Sequence, residues 1–256
     1  MIQLLLEILW PIAFYELSTE IGRMVLSGYG TLAVQTASAA ITSASLGIIY
    51  RKNPFSPNRN IEEKSVKTLR TDILCAGVLL WMAGISSSLL FNNLITLSGI
   101  KKMFTGYNRI ANQLFSPPLW FRIIAMGVVI SAAEELVFRG FIYRSLRNRY
   151  SFWTAAMVSA VLFGWFHGNL IQGIYGWAVG LVLAYGYERY KNIWAPWLIH
   201  GSANLTSILA GKWIKFEGGQ PGSSFLLITI VSGVCLFLIL HVMRRSNFKY
   251  LKEVTQ

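Results

Sequence analysis

Three short stretches in the second half of the chain place ionisable or amide side chains inside apolar sequence. They read "EELVFR" (134–139), "FGWFH" (163–167) and "HGSAN" (200–204). An ionised side chain opposes membrane insertion by about 2.5–3.5 kcal/mol on translocon-based scales, so such residues in apolar segments usually serve a function. These three stretches are therefore the candidate functional site.

Spacing within the stretches predicts which side chains can act together. Glu135 and Arg139 are four residues apart, so they share one helix face and can form an ion pair. Glu134 points about 100° away around the same helix and has no partner within its own stretch. His200 and Asn204 are also four apart and project from one face. We expect four side chains from three helices to converge on one small polar site: Glu134, His167, His200 and Asn204.

Such a set of side chains can hydrolyse a peptide bond in two ways. A carboxylate held in apolar surroundings beside a second acid can take a proton from a water molecule that an imidazole positions. A second imidazole and an amide can then hydrogen-bond the oxyanion that forms. Alternatively, two histidines and a carboxylate, here His167, His200 and Glu134, can hold Zn²⁺ and activate its bound water. The residues leave both routes open.

A purely structural role is the alternative for each residue taken singly. A lone His or Asn in a membrane helix often makes only an interhelical hydrogen bond. Three such stretches in consecutive order favour a functional site, because packing alone gives no reason for them to occur together.

Composition predicts that these side chains are carried by helices in a lipid bilayer. The chain has 256 residues, of which 54% are hydrophobic and 13% charged, whereas about a quarter of the residues in soluble domains are charged. Many apolar blocks approach the ~20 residues that cross a ~30 Å hydrocarbon core. We predict an all-α, polytopic transmembrane bundle of about eight spans: 2–17, 24–50, 72–98, 118–143, 151–171, 173–187, 194–210 and 222–243.

Basic residues lie mainly between these blocks and predict their orientation. If segment 51–71 is a cytoplasmic loop, 15 basic residues lie on its side of the membrane and six on the other. The 15 are Arg51, Lys52, Arg59, Lys64, Lys67, Arg70, Arg144, Arg147, Arg149, Arg189, Lys191, Arg244, Arg245, Lys249 and Lys252. The six are Arg23, Lys101, Lys102, Arg109, Lys212 and Lys215. This distribution predicts a multi-pass protein of the cell membrane with both termini in the cytoplasm.

The first predicted span, 2–17, is the weakest, because Glu7 and Pro11 interrupt it. If it lies in the interface instead, the N-terminus moves outside and the rest of the arrangement stands. The net charge of +12 does not predict nucleic-acid binding, because no polar domain is present to form a basic groove. Cys75 and Cys235 lie singly in apolar blocks, which argues against a disulfide framework or a zinc cluster.

No internal repeat divides the chain, so we predict one membrane domain over 1–256, with its motif-bearing core at 118–210. Within that core the three stretches match the patterns EExxxR, FxxxH and HxxxN in this order. They resemble the CAAX-protease and bacteriocin-processing (CPBP, or Abi) family of intramembrane endopeptidases.

The resemblance implies roles for the matching residues. Glu134 would be the general base, assisted by His167, and His200 with Asn204 would form the oxyanion site. The family has been described both as metallo- and as glutamate-type proteases, so the possible zinc site stays open. Supporting roles would fall to Glu135, Arg139 and Phe163.

The implied activity is cleavage of a membrane-anchored peptide or protein, lipidated or leader-bearing, at the lipid bilayer. One alternative is a catalytically silent family member that binds a membrane partner as a regulator or immunity protein. Such a member would be expected to lack Glu134, His167 or His200, and none is missing. A proton-coupled transporter would show two related halves with broken helices, and the sequence shows no such repeat.

One geometric expectation is in tension with a shared site. Glu134 and His200 lie about ten residues, or ~15 Å, from the basic residues Arg144 and Lys191 at the predicted cytoplasmic side. His167 lies some seventeen residues from Ser151, or ~25 Å by the same rise.

Overall fold

The computed structural model describes residues 2–52, 66–100, 116–210 and 222–245. Helices and short connections account for all of these residues, and no strand occurs among them, which confirms the predicted all-α class. The eight helices are α1 (Ile2–Val25), α2 (Thr31–Lys52), α3 (Val66–Leu97), α4 (119–147), α5 (Phe152–Phe166), α6 (Leu170–Tyr190), α7 (Trp194–Ala210) and α8 (Ser223–Arg245).

Within the described ranges, four helical segments are long and apolar enough to cross a bilayer, so the chain is an integral membrane protein. They lie at Thr31–Arg51, Ile73–Leu97, Leu170–Tyr190 and Ser223–Arg245. The apolar helix α5 has only 15 residues, or about 22 Å of length. The count of eight crossings and the orientation of the termini stay predictions.

The helix boundaries differ from the predicted ones at the amino-terminal end. Pro11 lies inside α1, which continues to Val25 instead of ending at 17. Helix α3 begins at Val66, six residues earlier than expected. Of the predicted loop 51–71, residues 53–65 lie outside the described part of the chain.

Successive helices run in alternating directions, and their ends collect in two layers. One layer holds the starts of α1, α3, α5 and α7 and the ends of α2, α4, α6 and α8. There Arg149 binds the Glu7 carboxylate through two hydrogen bonds of 2.8 and 2.9 Å, and Arg189 donates to the Met243 carbonyl. We call this layer the basic end and the opposite layer the far end.

At the far end, a sharp turn at 167–169 joins α5 to α6. Gly168 has a φ of 67°, a conformation that favours glycine. The Asn169 side chain accepts a hydrogen bond of 2.9 Å from the Gln172 backbone N–H and so caps α6. Helix α5 consequently ends at Phe166, and the break expected at 172 comes earlier in the chain.

Helix α7 packs very closely against its neighbours because small residues line the contacts. A Cβ atom on Gly84 of α3 would lie 1.9 Å from the Ser202 hydroxyl of α7. A Cβ atom on Gly201 of α7 would lie 2.5 Å from the Gly127 carbonyl oxygen of α4. In lipid, where apolar burial gives little driving force, such close approach is a main source of helix association.

Helix α4 is built from five consecutive segments. Hydrogen bonding of the π type over Ala125–Ile130 and Leu136–Tyr143 flanks a short α-helical segment, Ser131–Glu135. The wider π turns change which side chains face inward, and they often occur at functional sites. The two adjacent glutamates lie at the junction between the α segment and the second π segment.

Candidate active site

Glu135 is buried and connects two helices at the site. Its Oε1 atom accepts hydrogen bonds from Arg139 Nη1 at 2.9 Å and, across the helix interface, from His200 Nδ1 at 2.7 Å. Glu135 and Arg139 are both fully buried, which confirms the predicted ion pair. Arg139 also donates to the Gly180 carbonyl of α6 at 3.1 Å and lies over the Phe163 ring. These contacts hold α4, α5, α6 and α7 together around one charge pair.

Glu134 has a different environment from its neighbour. Its side chain faces a cavity, and its Oε2 atom lies 3.6 Å from His200 Nε2. The single imidazole of His200 therefore contacts both glutamates, one through each ring nitrogen. The sequence predicted no partner for Glu134 within its own stretch. In the fold, His200 of α7 lies beside it.

His167 lies immediately after the last residue of α5, and its ring turns back along the helix. Its Nδ1 atom is 2.8 Å from the Phe163 carbonyl oxygen. The Phe163 ring contacts both imidazoles, with centroid distances of 4.8 Å to His167 and 5.5 Å to His200. This reversal brings the imidazole back toward the other site residues, with which it lines one cavity.

Asn204 lies one turn beyond His200 on α7, as the spacing predicted. Its amide nitrogen donates to the Met126 carbonyl of α4 at 2.9 Å, which uses one of its two N–H bonds. Met126 belongs to the first π segment of α4.

One cavity of about 410 Å³ unites these side chains. The structure thus brings together the four residues expected to converge, since the side chains of Glu134, His167, His200 and Asn204 all line it. The supporting residues Glu135, Arg139 and Phe163 contact them from behind.

Helices α1 to α3 also line the cavity, which sequence reasoning missed. Tyr15, Glu16 and Thr19 of α1, Gln35 of α2 and Asn92 of α3 line it. These residues stand singly in their helices without a recognisable motif, so no local signal marked them. The Asn169 cap that places His167 did have a signal, because Asn after Gly commonly begins a helix.

The side chains as placed do not fit the zinc alternative. In the described part of the chain, no three His, Cys, Asp or Glu side chains are arranged to hold a metal ion.

Residues 116–206 match the family model described as "Type II CAAX prenyl endopeptidase Rce1-like". This segment of the chain is Rce1-like. It contains all seven candidate site residues, which confirms the resemblance, whereas α1, α2 and α3 lie outside it.

Two curated relatives illustrate the extent of the similarity. "Putative membrane peptidase YdiL" of Bacillus subtilis (strain 168) is 32% identical over 87 residues, which are 34% of this chain and 36% of that protein. "UPF0177 protein YbdI" of Lactococcus lactis subsp. lactis (strain IL1403) is 29% identical over 93 residues, 36% of this chain and 50% of that protein. The chain thus spans about a third to a half of the length of these relatives. No solved structure matches it significantly.

Proposed function

We propose that this protein is an endopeptidase that hydrolyses a peptide bond of a membrane-associated protein or peptide within the bilayer. One observation carries the proposal: Glu134, His167, His200 and Asn204 line a single cavity inside the Rce1-like segment. The name of the Bacillus subtilis relative, "Putative membrane peptidase YdiL", supports the proposal.

Glu134 is the general base of the proposed reaction. Glu135 cannot easily take this role, because Arg139 and His200 occupy its Oε1 atom and the side chain is fully buried. Glu134 instead faces the cavity, where it can take a proton from a water molecule.

His167 orients the same water molecule. Its Nδ1–H donates to the Phe163 carbonyl, so in the neutral ring Nε2 carries the lone pair. Nε2 can then accept a hydrogen bond from water, whose oxygen is left directed at the substrate carbonyl. The Phe163 ring, packed against the imidazole, limits its rotation.

The oxyanion is held by His200 and Asn204. The water oxygen bonds to the carbonyl carbon, and the carbonyl oxygen takes the negative charge. The second N–H of Asn204 and the Nε2–H of protonated His200 can donate to that oxygen. When the C–N bond breaks, the proton held by Glu134 passes to the leaving amine, and the carboxylate is regenerated.

The proposed substrate is anchored in the membrane by a lipid or by a leader segment. Three of the helices that line the cavity, α2, α3 and α6, contain segments long and apolar enough to cross the bilayer. A substrate that already lies in lipid reaches such a site with less desolvation than a soluble peptide.

The decisive experiment compares Glu134→Gln with Glu20→Gln in purified protein reconstituted in lipid. A panel of membrane-anchored, lipidated and leader-bearing peptides serves as substrate, and mass spectrometry identifies the products. We expect Glu134→Gln to lower the cleavage rate by about 10²–10⁴-fold, the usual contribution of a general base. Glu20 lies on the exposed surface of α1, so Glu20→Gln should cleave at the wild-type rate.

Cleavage by Glu134→Gln at the wild-type rate would contradict the assigned role. A wild-type protein that binds a panel peptide without cleaving it would instead support the catalytically silent alternative.

A further inference from the structure

The cavity around Glu134 has an open rim at the far end of the bundle. The lining residues exposed at its edge are Arg23 near the end of α1, Thr31 at the start of α2 and Gly168 in the α5–α6 turn. The buried lining residues Glu134 and His200 lie at its base. All three rim residues belong to the same layer of helix ends.

Polar side chains line part of the path from rim to base. Gln35, Asn92, Gln172 and Ser207 come from four different helices and line it. Asn92 donates to the Ser207 hydroxyl at 3.2 Å, so part of this wall is already ordered by hydrogen bonds. These features favour a hydrated path.

Toward the basic end, by contrast, the site is closed by packed side chains. Phe138, Arg139, Tyr143 and Ile199 are all fully buried there. The Tyr143 hydroxyl donates to Glu188 at 2.7 Å, which ties α4 to α6 below the site. Water and substrate therefore have an open route from the far end only, as far as the described helices define it.

The depth of the site differs between its two histidines: His167 lies closer to the far end, whereas His200 is six residues from the basic-end start of α7 and ten from its far end. The His167 ring lies beside Gly176, where an added Cβ atom would be 3.4 Å from it. Gly176 is six residues from the far-end start of α6 and fourteen from its other end, or about 9 Å and about 21 Å along the helix.

The distribution of basic residues predicts which end of the bundle faces the cytoplasm. Connections assigned to the basic end carry 15 Lys and Arg residues, and those assigned to the far end carry six. An excess of this kind marks the cytoplasmic side. We propose that the active-site cavity opens to the extracytoplasmic face of the membrane, so that its substrate is a peptide segment exposed on that face. The identity of the segment as a substrate depends on the proposed function, whereas the direction of the opening does not.

Cysteine labelling in intact cells tests the direction of the opening. In a background with Cys75→Ala and Cys235→Ala, single cysteines are introduced as Thr31→Cys at the rim and Gln35→Cys on the wall. Asn148→Cys, in the exposed α4–α5 connection, is the matched control at the basic end. The probe is a charged maleimide that does not cross membranes, applied before and after permeabilisation.

We expect Thr31→Cys and Gln35→Cys to react in intact cells and Asn148→Cys to react only after permeabilisation. The reverse pattern would overturn the proposal. Reaction of all three on the same side, or failure of Gln35→Cys to react on either side, would overturn it too. Only variants that elute as monodisperse protein in detergent are compared.

Labelling needs no turnover, so the same pattern is expected when Glu134→Gln is added to each variant. An inactive enzyme with the expected labelling would count against the proposed function alone. An active enzyme with the reverse labelling would count against the opening alone.

Discussion

At the scale of single residues, His200 contacts the two adjacent glutamates in different ways. It binds Glu135 through Nδ1 at 2.7 Å and lies 3.6 Å from Glu134 through Nε2. Glu135 is buried with Arg139, whereas Glu134 faces the cavity, where the proposed reaction would take place. Two identical side chains in consecutive positions thus take different roles because their contacts differ.

This division predicts opposite effects of the same substitution at the two positions. Glu135→Gln leaves the Arg139 guanidinium buried without its counter-charge, a change that typically costs about 3–5 kcal/mol. Glu134→Gln alters a side chain at the cavity surface and should change stability by less than about 1 kcal/mol. Thermal unfolding of both purified variants in the same detergent checks this. Equal unfolding temperatures for the two variants would contradict the division of roles.

The arrangement of possible ligands predicts how the proposed peptide cleavage responds to metal removal. Because no three His, Cys, Asp or Glu side chains of the described residues form a ligand group, chelation should leave the cleavage rate unchanged. The measurement is peptide cleavage before and after dialysis against a chelator, with metal analysis of the same samples. Loss of activity that Zn²⁺ restores would show that the histidines rearrange to hold a metal.

At the scale of helices, the position of His200 depends on how closely α7 approaches α4. Gly201 follows His200 directly, and its Cα faces the Gly127 carbonyl, leaving no room for a methyl group. The π segments of α4 place this carbonyl and Glu135 on the side that α7 contacts. A change in the separation of α4 and α7 would therefore alter the hydrogen bond between His200 and Glu135.

Gly201→Ala is expected to force α7 away from α4. Overpacking of this kind costs about 1–3 kcal/mol, and the displaced imidazole should lower the cleavage rate as well. Gly77→Ala is the matched control, because a Cβ atom there would meet nothing within 4 Å. Unfolding temperature and cleavage rate are measured for both variants. Normal values for Gly201→Ala would mean that the close contact is not required.

At the scale of the whole molecule, the alternation of helix directions gathers the helix ends into two chemically different layers. The connection between α4 and α5 reaches α1 through Arg149 and Glu7, and the end of α6 reaches α8 through Arg189 and Met243. Both contacts lie in the basic end, together with the last turn of α8, which carries Arg244 and Arg245.

This arrangement predicts a cytoplasmic C-terminus. Basic residues in the last turn of a span resist transfer across the membrane and hold that end in the cytoplasm. A fluorescent protein that folds only in the cytoplasm, fused after Gln256, should therefore fluoresce in cells. A fused alkaline phosphatase, which needs the oxidising exterior, should stay inactive. The opposite pair of results would reverse the orientation of the whole bundle.

Much of the site could be predicted, because the relations concerned lie between residues of the same helix. The pairing of Glu135 with Arg139 and the shared face of His200 with Asn204 follow from spacing within one helix. The break between α5 and α6 lies earlier than predicted, because Asn169 caps α6 within a long apolar stretch. The lining from α1, including Tyr15 and Glu16, could not be predicted, because α1 lies more than a hundred residues from the motifs.

The sequence by itself determined the all-helical membrane class, the Rce1-like segment and the identity of the converging side chains. These properties depend on composition and on spacing along single helices. Only the tertiary structure decided that His200 joins both glutamates, that His167 turns back along α5 and that the cavity opens at one end. Those features depend on contacts between helices distant in sequence, and a spacing rule carries no information about which helix lies beside which.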